Sequence, residues 1–252
     1  MSTTSSRLSL TLVVAVSPNN GIGAGGGLPW RLSREMAYFK HVTSAVQPAH
    51  PQEHAKNAVV MGKNTWMSIP PRFRPLAGRI NVVISRTASK EELGIDAEQD
   101  AHLFASPSAA LAYLQQRRSS ESPTPISRIF LMGGAQLYTQ ALQAAADPRS
   151  SSSPTSDEWN LDRLLITRIK QPEFPQCDVF LPEFRIQEQI SSSDSASGSS
   201  QAKPLDHKVW EQASDEELSA YVGPFDIPGL SSLEGPQEEK GVTYTFEMWT
   251  RV

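Results

Sequence analysis

Short apolar runs recur along much of the chain and alternate with more polar segments. The first run, Leu8–Val16, passes from alternating polar and apolar residues into a continuous apolar stretch, which is typical of a strand buried on both faces. Comparable runs predict further buried strands at Asn57–Met61, Ile80–Ile84, Ile129–Met132 and Leu164–Ile169. The pattern therefore predicts a sheet whose strands are largely covered on both sides.

Helix signals occupy the segments between these runs. Ser33 is predicted to cap a helix that carries Glu35 in its first turn. A second helix is predicted to open at Pro107 and Ser108, and a third at Ala135–Ala146, which is rich in Ala, Leu and Gln. Strands that alternate with helices indicate an α/β fold with a mostly parallel sheet and helices on both faces.

The last apolar segment differs from the others. Val242–Trp249 alternates between polar and apolar positions with a period of two, which favours an antiparallel strand near the edge of the sheet. We therefore predict a mixed sheet whose C-terminal strand is antiparallel.

Composition limits the classes of protein that this chain can be. Its 252 residues include 23 Lys and Arg against 27 Asp and Glu, a net charge of −4, without the basic excess of a nucleic-acid binder. Cys177 is the single cysteine, so an internal disulfide and a cysteine-clustered zinc site are excluded. The longest apolar run, Leu10–Val16, is far shorter than the roughly 20 residues that span a bilayer. No targeting segment is recognised, and we expect a cytoplasmic protein.

Two serine-rich stretches interrupt the pattern. They lie near residues 147–157 and 187–205 and carry too little apolar surface to offset the chain entropy lost on ordering. We predict one domain over residues 8–252, with these stretches as surface-loop insertions and residues 1–7 as a flexible N-terminal tail. A regulatory or partner-binding tether is the alternative interpretation of the insertions.

Two glycine motifs suggest phosphate binding at first sight. Gly21–Gly26 fits G-x-G-x-x-G, but Pro29 delays the next helix to about Ser33, so a flexible loop close to a ligand is favoured over a dinucleotide-binding fingerprint. Gly62–Thr65 resembles the end of a Walker A loop, but a buried strand, Asn57–Met61, occupies the place of its glycine-rich start.

Although neither motif fits a known phosphate-binding fingerprint, the sequence does predict two strand-to-helix junctions. One lies at Gly62–Thr65 and the other at Met132–Ala135. Exposed backbone N–H groups at such junctions favour a ligand with more than one phosphate. Ser85 and Arg86 end a third strand and could hold a phosphate monoester, or could form an ordinary polar turn. Taken alone, the position of Glu35 favours a solvated capping acid, with a buried carboxylate as the alternative. The five histidines offer no spacing that predicts a metal site.

In order and spacing, several of these motifs resemble the dihydrofolate reductase family. They are Val13–Val16, Gly21–Gly23, Leu28–Trp30, Glu35, Phe39–Lys40, Met61–Pro70, Arg74–Arg79, Ser85–Arg86, Met132–Gly134, Tyr138, Ile166–Arg168 and Glu238–Gly241. The resemblance covers the chain apart from the serine-rich pieces, and the longer loops look most like fungal, monofunctional members. It implies an eight-stranded mixed sheet and the NADPH-dependent reduction of 7,8-dihydrofolate to 5,6,7,8-tetrahydrofolate, which supplies one-carbon metabolism for thymidylate and purine synthesis.

The resemblance also implies roles for individual residues. The catalytic set would be Glu35, Leu28, Trp30 and Thr167, with Glu35 accepting hydrogen bonds from the pterin and assisting protonation of N5. Substrate would contact Val13, Val14, Glu35, Phe39, Ile69, Leu76, Arg79, Met132 and Tyr138. NADPH would contact Ala15, Ile22, Gly23, Gly62, Lys63, Asn64, Thr65, Ser85, Arg86, Gly133, Gly134, Ala135, Gln136 and Leu137.

Further expectations follow from the same resemblance. The Gly133–Gly134 peptide is expected to be cis, and the run Gly25–Gly27 to give a mobile lid. Ala77 stands where relatives often carry a lysine, which argues against a second cation near the glutamyl tail. We expect a monomer that binds dihydrofolate and antifolate inhibitors, without nucleic-acid or membrane partners. The alternatives are a related pteridine or pyrimidine reductase, and an inactive paralogue that serves as a folate-binding or interaction module.

Overall fold

The strands and helices follow the predicted alternation. The computed structural model describes residues 8–46, 54–96, 99–118, 124–146, 160–185 and 209–252. The predicted N-terminal tail (1–7) and both predicted serine-rich insertions (147–157 and 187–205) lie outside these residues. Within the described part, no helix combines the length and apolar character that crossing a bilayer requires.

The described residues form eleven strands and six α-helices. The strands are β1 (Ser9–Val16), β2 (Gly21–Gly23), β3 (Lys56–Gly62), β4 (Arg79–Ile84), β5 (Ala101–Phe104), β6 (Ile126–Leu131), β7 (Asn160–Gln171), β8 (Val179–Phe180), β9 (Trp210–Gln212), β10 (Gln237–Glu239) and β11 (Val242–Arg251). The helices are α1 (Ser33–Ser44), α2 (Lys63–Ser68), α3 (Lys90–Leu93), α4 (Pro107–Arg117), α5 (Ala135–Ala146) and α6 (Asp215–Val222).

One mixed sheet organises the molecule. Eight strands lie in the order β10-β11-β7-β1-β6-β3-β4-β5, and the short β9 also pairs with β11. The pairs from β7 to β5 are parallel, whereas β11 is antiparallel to each strand beside it. This confirms the predicted α/β class, with a mainly parallel sheet and an antiparallel C-terminal strand.

Two apolar layers cover the faces of this sheet. Alternate β1 residues point to opposite sides: Leu10 and Leu12 join α4 and α5, while Val13 joins α1, α2 and α6. Every residue of β4 is buried, which explains why its sequence is nearly continuous in apolar residues. The helices therefore lie on both faces, as predicted.

The predicted cap of α1 is wrong. Leu32 occupies the N-cap position and no side chain of the cap residue accepts a hydrogen bond, while Ser33 is already the first helical residue. The carboxylate of Glu239 accepts the backbone N–H groups of Ser33 and Arg34 instead. α4, in contrast, opens at Pro107 as predicted, and Ser106 is its cap.

The glycine-rich segment after β1 forms a short strand followed by a tight turn. Gly21–Gly23 forms β2 and pairs with β8 in a separate two-stranded sheet. Ala24 and Gly27 then exchange two backbone hydrogen bonds of 2.9 and 3.0 Å around Gly25 and Gly26, whose φ angles are +55° and +78°. Left-handed conformations at both central positions are those of a type I′ turn, in which glycine is strongly preferred.

Candidate active site

The two predicted strand-to-helix junctions meet at one edge of the sheet. Strands β3 and β6 are parallel neighbours, so their carboxyl ends lie side by side. The Gly62 N–H donates to the Gly133 carbonyl oxygen at 2.8 Å, which joins the start of α2 to the start of α5. The Gly133–Gly134 peptide is cis. In parallel sheets, ligands bind outside this carboxyl edge.

The second junction has no room for a side chain at its first glycine. A Cβ atom on Gly133 would lie 3.1 Å from Thr65 Oγ1, and the φ angle of +117° is one that other residues rarely adopt. A Cβ atom on Gly134 would lie 3.4 Å from the same oxygen. The backbone of this junction therefore packs directly against α2, and Lys63, Asn64 and Thr65 lie beside the first turn of α5, which contains Ala135, Gln136 and Leu137.

A third strand end adds positive charge to this edge. Gly62 is paired in register with Ile84, the last residue of β4, so Ser85 and Arg86 lie next to the β3 junction. Ser85 Oγ accepts the Ala88 N–H at 3.1 Å. The side chain of Arg86 is exposed, and no described residue pairs with its guanidinium.

Glu35 lies under the sheet edge in the first turn of α1. It is 6% exposed, and Thr167 Oγ1 on β7 donates to its Oε1 at 3.1 Å. Burial raises the pKa of Glu35 to about 7; the Thr167 hydrogen bond opposes this rise, and the nearby negative charge of Glu239 adds to it. A solvated capping acid is therefore excluded, and the carboxyl group can change protonation near neutral pH.

Aromatic side chains pack close to the elements that carry Glu35 and Thr167. Tyr38, on the same helix as Glu35, and Phe246 have ring centroids 4.0 Å apart, and Thr167 is the register partner of Phe246. Trp30 is buried, and its ring packs edge-on against that of Phe174 with the ring centroids 5.1 Å apart. Its indole N–H has no hydrogen-bond partner among the described groups. Leu28, in contrast, is 52% exposed.

One face of α1 connects Glu35 to Arg79. Glu35, Phe39 and Thr43 are spaced four residues apart and share that face. Arg79 Nη1 donates to Thr43 Oγ1 at 2.8 Å. Eight residues of helix rise about 12 Å, so the carboxylate and the guanidinium lie at the two ends of this face.

Arg79, at the other end of this face, is buried but remains positively charged. Burial lowers the pKa of Arg79 to about 10, which still leaves the side chain protonated at neutral pH. Its Nε donates to the Ala77 carbonyl oxygen at 3.2 Å. Between the two ends, the partly buried side chains of Phe39, Ile69 and Leu76 belong to the apolar layer around α1.

The remaining predicted residues lie on several different elements near the carboxyl ends of the strands. Val13, Val14 and Ala15 lie in the second half of β1, and the Tyr138 hydroxyl donates to the Val13 carbonyl oxygen at 2.9 Å. Met132 precedes the glycine pair and is partly buried in the α1 layer. The structure does not bring Ile22 and Gly23 into the main sheet, because both lie on β2.

Comparison with known proteins shows to which family this chain is similar. The family model described as dihydrofolate reductase matches residues 9–212. The dihydrofolate reductase of Cryptococcus neoformans is 42% identical over 97% of this chain and 96% of its own length. That of Pneumocystis carinii is 39% identical over 96% of this chain and 97% of its own, and that of Candida albicans is 31% identical over 95% of each.

The chain belongs to the dihydrofolate reductase family. The resemblance inferred from the motifs is thereby confirmed, including its likeness to fungal members. Within the described ranges of this family member, no group of three or more His, Cys, Asp or Glu side chains is arranged to hold a metal ion.

Sequence reasoning missed three residues that organise this reductase-family site. Asn81 is fully buried and holds the preceding loop: its side chain accepts the Leu76 N–H at 2.9 Å and donates to the Leu76 and Arg79 carbonyl oxygens. An asparagine inside an apolar strand was the available signal, because buried amides need partners. Thr43 gave no comparable signal, and the motif Glu238–Gly241 did not indicate the role of Glu239, because the partners of both residues are remote in sequence.

Glu35→Gln is expected to stabilise the ligand-free protein at high pH. The folded-state pKa is raised from 4.5 to about 7, so the unfolded chain ionises first and stability falls as the pH rises between these values. Above pH 7 the folded protein bears the full free-energy cost of ionising the buried Glu35 carboxyl group. Removal of this cost should stabilise the protein by about 3 kcal/mol. Below pH 4.5 the two proteins should be equally stable.

Urea unfolding at pH 4 and pH 8 measures this difference. Glu234→Gln, at an exposed position, is the matched control and should change stability little at either pH. An equal effect of Glu35→Gln at both pH values would show that the carboxyl group is not held protonated by burial.

Proposed function

We propose that this protein reduces 7,8-dihydrofolate to 5,6,7,8-tetrahydrofolate, with NADPH as the reductant. The observation that carries the proposal is the α1 face described above. It presents a hydrogen-bond-accepting acid, apolar side chains and a buried cation in line over about 12 Å. Dihydrofolate has a matching order of groups: N–H donors on the pterin, two ring systems, and a glutamyl carboxylate.

Each end of the face suits one end of the substrate. The Glu35 carboxylate would accept the 2-amino and N3 hydrogens of the pterin, because an ionised carboxylate only accepts and has two oxygens. Arg79 would bind the α-carboxylate of the substrate through two parallel hydrogen bonds. Phe39, Ile69 and Leu76 would pack on the rings between them, and Val13, Val14, Met132 and Tyr138 would complete the substrate contacts.

The carboxyl edge of the sheet fits a nicotinamide dinucleotide. The paired junctions offer backbone N–H groups to a pyrophosphate, and Lys63 adds a cation beside them. Ser85 and Arg86 would bind the 2′-phosphate that distinguishes NADPH from NADH. The proposed cofactor contacts are Ala15, Ile22, Gly23, Gly62, Lys63, Asn64, Thr65, Ser85, Arg86, Gly133, Gly134, Ala135, Gln136 and Leu137. When bound, the cofactor supplies the hydride.

The chain's own contribution to the chemistry is positioning and proton supply. Because the pKa of Glu35 is about 7, both its forms are populated near neutral pH: the ionised form can accept the pterin N–H groups, and the protonated form can support protonation of pterin N5 through a water molecule. Thr167 fixes the direction of its carboxyl group. Trp30 and Leu28 would keep bulk water from the reacting atoms, which strengthens the electrostatic effect of the acid.

A related pteridine or pyrimidine reductase of the same fold is less well supported. Arg79 is held at the end of the α1 face away from Glu35 by a hydrogen bond to Thr43 and by the loop that Asn81 holds. A buried cation there is useful only for a substrate with an anionic tail. All proposed contacts come from one chain, so a monomer suffices for activity, and antifolates that mimic the pterin would compete for Glu35.

The proposal is tested by following NADPH consumption with dihydrofolate in the near ultraviolet. We expect turnover that stops when either reactant is omitted, and tetrahydrofolate as the product. Purified, folded protein that consumes no NADPH in the presence of dihydrofolate would overturn the proposed function. Binding of folate without turnover would then favour the alternative of a binding module.

Arg86→Ala is expected to weaken NADPH binding by about ten- to a hundredfold and NADH binding by less than twofold. The guanidinium would contact only the 2′-phosphate, and a charged hydrogen bond contributes about 1.5–3 kcal/mol. Titration of the two cofactors measures this, with Arg251→Ala on β11 as the matched control. Equal losses for both cofactors would contradict a role at the 2′-phosphate.

A further inference from the structure

Glu239 is a buried glutamate in a motif to which the proposed function assigns no role. It ends β10 and is 8% exposed, although its neighbour Glu238 is exposed. Its Oε1 accepts the Ser33 N–H at 2.5 Å, and its Oε2 accepts the Arg34 N–H at 3.0 Å. Both oxygens of one carboxylate are thus used by consecutive backbone groups of α1.

These two N–H groups need a partner from elsewhere. The first N–H groups of an α-helix have no acceptor within the helix, and Leu32 at the N-cap has no side-chain oxygen to offer. A carboxylate is the acceptor best suited to this end, because the helix dipole is positive there. Glu239 therefore caps α1 from a strand more than 200 positions later in the chain.

Further contacts join the same two segments. Arg34 Nη1 donates to the Gly229 carbonyl oxygen at 2.7 Å, and its Nη2 donates to the Glu238 carbonyl oxygen. Lys240 Nζ donates to the Arg31 carbonyl oxygen at 3.3 Å. The first turn of α1 is consequently held on several sides by the segment that leads into β11.

We propose that Glu239 is a positioning residue for the reduction: by capping the first turn of α1, its carboxylate fixes where the Glu35 carboxyl group lies. This inference rests on the role of Glu35 in the proposed function. Glu35 directly follows the two residues that Glu239 binds, so a shift of that turn moves the acid relative to the pterin.

The charge of Glu239 also acts on Glu35. The groups around Glu35 are Tyr38 on its own helix, Thr167 on β7, Tyr244 on β11 and Glu239 on β10. The Nε atom of Arg34 lies 3.8 Å from Oε2 of Glu239. Of the groups around Glu35, Glu239 brings the negative charge, which disfavours ionisation of Glu35 and helps to raise its pKa. Removal of this charge should therefore move the titration of Glu35 to lower pH.

Glu239→Gln is the direct test, because it keeps the shape and one acceptor oxygen but removes the charge and one of the two bonds. We expect folate to bind about tenfold more weakly. The pH midpoint of reduction should fall by about half a unit to one unit. Glu238→Gln, the same change at the exposed neighbour, should leave both at wild-type values.

Titration of ¹³C-labelled glutamate carboxyl groups in the ligand-free protein gives a second readout that does not depend on turnover. The Glu35 midpoint should fall in Glu239→Gln and stay unchanged in Glu238→Gln. An unchanged midpoint and unchanged folate affinity in folded Glu239→Gln would overturn the proposal. An inactive wild-type protein whose Glu35 midpoint still responds would instead count against the proposed function alone.

Ser33→Pro provides a second variant in case Glu239→Gln does not fold. Proline is well tolerated at the first helical position, and Leu32 already has the extended backbone that a following proline requires. This change removes one of the two donors and keeps the charge of Glu239. We expect several-fold weaker folate binding, and binding as tight as in the wild type would overturn the positioning role.

Discussion

Glu35→Gln will lower the rate of dihydrofolate reduction at pH 7 by about a hundred- to a thousandfold. General acid catalysis contributes rate factors of this size, and a glutamine cannot hold or release a proton in this pH range. The variant should fold, because the amide has the volume of the protonated acid and its oxygen can still accept the Thr167 hydrogen bond. Single-turnover measurements at saturating substrate separate this loss from weaker binding.

The pH dependence sharpens the same prediction. The wild-type rate should fall as the pH rises through about 7, because the protonated form of Glu35 is lost there. The rate of Glu35→Gln should not change with pH over this range. Thr167→Val removes a hydrogen bond that lowers the pKa, so its profile should move to higher pH. A wild-type profile that Glu35→Gln reproduces would assign the titration to another group.

Arg79→Met will weaken dihydrofolate binding by about a hundredfold. The loss of charge-assisted hydrogen bonds to a buried carboxylate costs about 3 kcal/mol, and each 1.4 kcal/mol corresponds to a factor of ten in affinity. Methionine fills the vacated space with a flexible apolar side chain. Thr43 Oγ1 keeps its hydrogen bond to the Phe39 carbonyl oxygen, so the end of α1 should remain in place.

Comparison with a dihydropterin that lacks the glutamyl tail makes this prediction specific. Arg79→Met should reduce kcat/KM for dihydrofolate and leave the smaller substrate nearly unaffected. Arg72→Met, at an exposed position in the same segment, is the matched control. Equal losses for the two substrates would show that Arg79 supports the structure of the groove rather than binding the tail.

The main strands were predictable because burial leaves a strong trace in sequence. Strands covered on both faces, such as β3 and β4, must be apolar at nearly every position. β5 (Ala101–Phe104) and β9 (Trp210–Gln212) are short and carry no periodic pattern, so they escaped prediction. The run Gly25–Gly27 was predicted to give a mobile lid; the tight turn formed by the positive φ angles of Gly25 and Gly26 was not predicted.

The candidate site was less predictable from residues alone. Whether Glu35 is a solvated cap or a buried acid depends on Thr167 and Phe246, which approach α1 from distant parts of the chain. The family resemblance, not the local pattern, singled it out. The prediction for Ser33 was wrong for a related reason: a helix cap is usually local, and here it comes from Glu239.

The cap from β10 has a consequence for how the molecule becomes active during synthesis. The acid at position 35 emerges from the ribosome first, whereas the carboxylate that caps its helix and the strand β11 beside β7 emerge about 200 residues later. A nascent chain that stops short of β10 can contain every proposed cofactor-binding residue and still lack the contact that sets its proton donor. We therefore expect a chain truncated before β10 to be inactive, because it lacks both this cap and the strand β11 that pairs with β7.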